Sequence, residues 1–162
     1  MRVVSNTTPL LGLSFIGRID LLQRLFGEII IPAAVYDEIV VQGANRIGSD
    51  EVTKGIGSGW IHVENVAPSA MLSMLKVDLD KGEAEAMALA IARQADLLLL
   101  DERRARAKAQ ILKLNVTGTI GVLLLAREKD LEIDLPLMLE KLKVQGFRIG
   151  DSLIKRILAE KP

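Results

Sequence analysis

The chain has 162 residues, 49% of them apolar, with 21 Lys and Arg balanced by 21 Asp and Glu. Length and composition suit one folded domain spanning 1–162 with a single large core, and the charge balance excludes the global attraction to polyanions of a basic nucleic-acid-binding protein. The absence of cysteine excludes disulfides and thiolate chemistry, and a single histidine, His62, leaves little for a zinc site or a histidine base. Five aromatic residues in all argue against base-stacking platforms. The N-terminus MRVVSNTTPLLGL lacks the form of a signal or transit peptide, and no apolar run approaches the length of a membrane span; a cytoplasmic location is expected.

In chain order, Arg2 to Ser5 is a short β-branched strand, followed by a turn into a helix with Thr8 as N-cap and Pro9 at the first helical position. Residues 9–26 read as two short helices broken near Gly17. Glu28 to Ile31 is a second strand, closed by Pro32, where the helix PAAVYDEIVVQ begins. A Gly/Ser/Asn-rich stretch from Gly43 to Gly59 holds a weak helix, SDEVTKGI, and Trp60 to Val63 forms a third strand. Residues 68–79 give no clear signal. Asp80-Lys81-Gly82-Glu83 then opens an apolar helix that runs into Leu97 to Leu100, a strand apolar enough to be buried on both faces. The basic helix ERRARAKAQILK, a short strand Asn115 to Thr117, and the helices IGVLLLAREK, PLMLEKLKVQ and DSLIKRILAE complete the chain.

Strands alternating with helices predict an α/β fold, a mostly parallel sheet whose ligands lie outside the carboxyl ends of its strands. Asn6 follows the first strand and Asp101 the leucine strand, so both fall on that edge. Glu38, in the helix after the second strand, and Glu83, in the first turn before the leucine strand, can converge there. Such oxygen ligands suit Mg²⁺ or Mn²⁺, which in phosphodiester hydrolysis orient the phosphate and help ionise water without a histidine.

Each residue also has a structural reading. Asp80 and Glu83 match a capping box. Asp101 can cap the basic helix and Asn6 its own. Glu38 and Glu85 can be solvated charges. Arg103, Arg104 and Arg106, with Lys108 and Lys113, are placed to meet a phosphate backbone or simply to face solvent. A phosphate-handling enzyme of small substrates is a further option on an α/β scaffold, although no G-x-x-x-x-G-K-[ST] loop is present.

Taken together, SNTTPLLGL, FGEIIIPAAVYDEI, LDKGEAEAMALA, ADLLLLDERRAR, VTGTIGVLLLA and GFRI resemble, in order and spacing, the PIN-domain family, in particular short prokaryotic members predicted to bind nucleic acid. The resemblance runs from about Val3 to about Leu158. It implies a three-layer α/β/α fold with four to five strands, a divalent-metal-dependent ribonuclease acting on RNA, and a toxin neutralised by a small antitoxin. Its acidic positions fall on Asn6, Glu38, Glu83 and Asp101, with Thr8 at the neighbouring hydroxyl position. Glu85 is a poorer occupant of the third place, about 200° round the helix from Glu83. Asn6 stands where the family usually has Asp, which implies a weaker metal site or a protein that has kept the fold for binding alone. The apolar helices IGVLLLA and PLMLEKL lead us to expect a homodimer.

Overall fold

In the computed structural model, which describes residues 1–159, five strands form one sheet in the order β3-β2-β1-β4-β5, with every neighbouring pair parallel. These are β1 (Val3–Ser5), β2 (Ile29–Pro32), β3 (Ile61–Glu64), β4 (Leu97–Leu99) and β5 (Val116–Thr117). Parallel neighbours need crossover connections, and the helices that make them cover both faces of the sheet, giving the three layers expected.

The sheet alternates its side chains between two cores. Val3, Ile29, Ile31, Ile61 and Leu99 point to the larger one, packed under α1 (Thr7–Phe15), α2 (Asp20–Phe26), α8 (Thr119–Glu128) and α9 (Leu135–Val144). Val4, Leu98 and Leu100 point to the other, under α5 (Ala70–Leu75), α6 (Lys81–Ala92) and α7 (Arg103–Ile111). The leucine run is therefore buried on both faces, as its composition predicts, and truncating Leu98 or Leu99 to Ala would cost about 2–5 kcal/mol.

Several elements depart from expectation in detail. The first helix starts at Thr7 with Asn6 at the N-cap, so Thr8 lies inside the first turn and caps nothing. The stretch at 68–79, which gave no clear signal, contains α5, capped by the Ser69 hydroxyl accepting from the Leu72 N–H. The helix after β2 begins as α3 (Ala33–Tyr36) and continues as a π-helical segment, Asp37–Gln42. There the Asp37 carboxylate accepts from Gln42 Nε2 at 2.6 Å, an i,i+5 contact that follows the wider π spacing. The weak helix becomes α4 (Ser49–Gly57), and α10 (Asp151–Ala159) ends the described chain; Glu160, the last residue of the predicted helix, lies outside it.

Among the described residues no helix is long and apolar enough to cross a membrane.

Candidate metal centre at the carboxyl edge of the sheet

Pairing of β1 with β4 places Asn6 and Asp101 on the same edge, and the Asn6 N–H donates to the Leu99 carbonyl at 3.0 Å. Asn6 occupies the N-cap of α1, yet its side chain makes no capping bond. It is directed across the edge to α6. A Cβ built on Gly82 would sit 3.3 Å from Asn6 Oδ1, 3.3 Å from Glu38 Oε2 and 3.6 Å from Asp80 Oδ1. Three oxygens, two of them from carboxylates, thus surround one point that the missing side chain of Gly82 leaves open.

Glu38 is exposed and oriented by the Thr7 hydroxyl, which donates to Oε2 at 2.7 Å. The hydroxyl beside the acidic group is therefore that of Thr7; Thr8 is exposed and faces a neighbouring cleft. With Asp37, Gln42, Asp80, Lys81 and Ala34, Glu38 lines a cleft of about 260 Å³.

Glu83 is buried and completes the capping box. Its Oε1 accepts from the Asp80 N–H at 3.1 Å while Asp80 Oδ1 accepts from the Glu83 N–H at 2.8 Å. Burial raises the Glu83 pKa above the ordinary carboxylate value, with the Asp80 N–H opposing that rise and the Asp80 charge adding to it. Glu85 is not the solvated charge that its spacing suggests. It is buried, and its Oε1 accepts from the Ala34 N–H at 3.2 Å, so it ties α6 to the start of α3.

Asp101 does not cap the basic helix, because Glu102 does so, accepting from the Ala105 N–H at 2.9 Å. Asp101 is gripped from the other side. Its Oδ1 accepts from the Thr119 N–H at 2.8 Å and its Oδ2 from the Thr119 hydroxyl at 2.7 Å. Desolvation raises its pKa, against the lowering pull of Thr119 and the Arg106 guanidinium. Gly118 is what permits this approach: a Cβ there would fall 2.5 Å from Asp101 Oδ1 and 3.2 Å from Arg106 Nη1.

The edge is thus divided. Asn6, Glu38 and Asp80 meet around Gly82, while Asp101 stands apart with Thr119 and Arg106. Among the described residues no three Asp, Glu, His or Cys side chains are gathered closely enough to hold a metal ion by themselves. Asp80 and Thr119 were not singled out for chemistry in the sequence. Asp80 carried a capping signal that accounted for it, and Thr119 carried none. Of the basic residues, Arg103 and Arg104 are exposed, Arg106 turns toward Asp101, and Lys108 is paired with Asp78 at 2.9 Å.

The comparisons agree with this architecture. Residues 2–161 match the model of the DUF3368 family, described as a PIN domain. The chain belongs to the PIN-domain family. No curated protein matches it. Among solved structures it is similar to a PilT N-terminus domain protein, SSO1118, of the archaeon Sulfolobus solfataricus P2, with a TM-score of 0.57 and 18% identity over 76% of this chain and 91% of that one. It is also similar to a domain of a functionally unknown protein from Methanocaldococcus jannaschii, with a TM-score of 0.48 and 21% identity over 72% and 89%. At these identities the first likeness speaks for the PIN fold only, and a nuclease-type scaffold is what family membership supports.

Proposed function

We propose that this PIN-domain protein is an endoribonuclease dependent on Mg²⁺ or Mn²⁺, with its centre at the edge described above. The observation that carries this reading is the convergence of Asn6 Oδ1, Glu38 Oε2 and Asp80 Oδ1 on the space beside Gly82. Hard oxygen donors, one neutral and two anionic, fit a divalent cation that keeps several of its waters. Such an ion, when bound, supplies phosphate orientation and a more acidic attacking water.

The chain's own residues would divide the remaining work. Thr7 fixes the Glu38 carboxylate, and Glu83 holds Asp80 in place through the capping box while its second oxygen remains for water or metal. Thr119 holds Asp101 at both oxygens, so this carboxylate enters the reaction without reorganising. Arg106 stands by Asp101 where a phosphate oxygen would need a cation, and Arg103 and Arg104 are exposed at the start of the same helix to track the backbone. A toxin role with a small antitoxin partner extends this reading through the family resemblance. Exposed apolar side chains at Met74, Val77 and Ile111 support a homodimer or another protein contact.

One observation favours a second reading. Asn6 is neutral, so the Gly82 site carries one charge fewer than an all-carboxylate site, which suits a module that binds nucleic acid or a partner without cleaving. The test is cleavage of a single-stranded RNA with Mn²⁺ by the parent, Asp101→Asn and Asn6→Asp. Cleavage by the parent that disappears in Asp101→Asn supports the enzyme. Cleavage by Asn6→Asp alone supports the weakened module, and no cleavage by any of them rejects the catalytic reading.

A further inference from the structure

Next to the acidic edge lies a larger cleft of about 590 Å³ between α1, the loop before α4 and the turn after α9. It is lined by Leu11, Gly12, Phe15 and Phe147, with Asn45, Arg46 and Gln145 among its polar members. Its size is that of a small-molecule site. Two of the five aromatic residues of a chain poor in them thus meet at one cleft, although the sequence argued against any aromatic platform.

The cleft adjoins the candidate centre on two sides. Thr8 lines it while the preceding Thr7 holds Glu38. A Cβ on Gly12 would meet Phe147 Cζ at 2.8 Å and Thr119 Oγ1 at 3.2 Å, the same hydroxyl that donates to Asp101. Glycine at position 12 therefore leaves room at one point for both the Phe147 ring and the Thr119 side chain that positions Asp101.

We propose that this cleft receives one nucleobase of single-stranded RNA, next to the phosphodiester held at the acidic edge; this rests on the RNA-cleaving reading. The floor is apolar and aromatic, which suits the face of a base. The rim carries the amides of Asn45 and Gln145 and the Arg46 guanidinium, none of which forms a side-chain hydrogen bond or ion pair within the described structure. A base edge and its phosphate answer amide and guanidinium groups together, whereas a hydrocarbon side chain of a peptide would leave all three unanswered.

The test titrates the full chain, without metal, with AMP, GMP, CMP and UMP, following backbone amides by ¹⁵N NMR. Cleavage of RNA oligonucleotides randomised around the cut is measured in parallel for the parent, Phe147→Ala and Arg46→Ala. Arg46 is exposed and its side chain forms no hydrogen bond or ion pair among the described residues, so its variant remains informative if Phe147→Ala fails to fold. Expected are shifts at Gly12, Ile47 and Gln145 that favour one base, and in Arg46→Ala a KM raised about tenfold with kcat kept and a flattened base preference. Nucleotide shifts absent from the cleft, or present only around Asp80 to Asp101, overturn the proposal, as does a leucine-rich peptide that shifts the cleft where nucleotides do not. Cleft binding by a protein that cleaves no RNA would support the pocket and sink the nuclease; cleavage with neither cleft shifts nor base preference would do the reverse.

Discussion

Replacing Thr119 by Val removes one hydroxyl and almost no volume. Thr119 is fully buried and its hydroxyl lies 2.7 Å from Asp101 Oδ2, so the variant loses a hydrogen bond to a desolvated carboxylate while keeping the N–H bond at 2.8 Å. A hydrogen bond to a charged group contributes about 1.5–3 kcal/mol, and in a domain of this size a loss of about 2 kcal/mol lowers Tm by roughly 6 °C. The pH dependence identifies the cause. Burial holds the Asp101 pKa above its unfolded value, so the folded state binds the proton more tightly and stability falls as pH rises between the unfolded and folded values. Thr119→Val removes a lowering influence and pushes the folded value higher still. The difference from the parent should therefore be largest at neutral pH and shrink as pH falls through the raised Asp101 value, with Thr119→Ser close to the parent throughout. Calorimetry across pH 4–8 reads this directly, and a difference that is independent of pH, or absent, would refute the account of how Asp101 is held.

Gly82→Ala places a methyl at the point where Asn6, Glu38 and Asp80 meet. Removing a helical glycine contributes up to about 1 kcal/mol, so Tm should stay within about 4 °C of the parent while Mn²⁺ binding by calorimetry is lost; retained binding would show that the ion sits elsewhere. Asn6→Asp adds a charge beside Glu38 and should lower Tm without metal, restore it with Mn²⁺ and tighten Mn²⁺ binding at least about tenfold. Arg103→Gln with Arg104→Gln should flatten the dependence of log affinity on log salt for single-stranded RNA by about 0.7 for each phosphate that is no longer neutralised. An unchanged slope would leave those two arginines as solvated charges.

The features legible in the sequence were those whose causes are local. Four consecutive leucines required a strand covered on both faces, and Asp80 three residues before Glu83 required a capping box; both are present. That Asn6 and Asp101 share an edge followed from a parallel sheet in which β1 and β4 are neighbours. What escaped depends on distant partners. Glu85 looks solvated until Ala34, 51 residues away, brings an N–H to it. Asp101 looks like the cap of α7 because Thr119, which claims it instead, belongs to a helix two elements later. Thr8 stood out because Pro9 suits the first helical position, but the helix starts two residues earlier, at Thr7, since Pro9 is tolerated anywhere in the first turn. The π-helical segment that carries Glu38 left no readable mark on an apolar period of four residues or so.

The central claim is that the edge around Gly82 holds a divalent cation through Glu38, and Mn²⁺ titration followed by electron paramagnetic resonance addresses it without requiring turnover. One saturable bound Mn²⁺ is expected in the parent, released by excess Mg²⁺ and missing from Glu38→Gln at unchanged Tm. A parent that binds no Mn²⁺ at millimolar concentration, or a Glu38→Gln variant that binds it equally well, would contradict the claim.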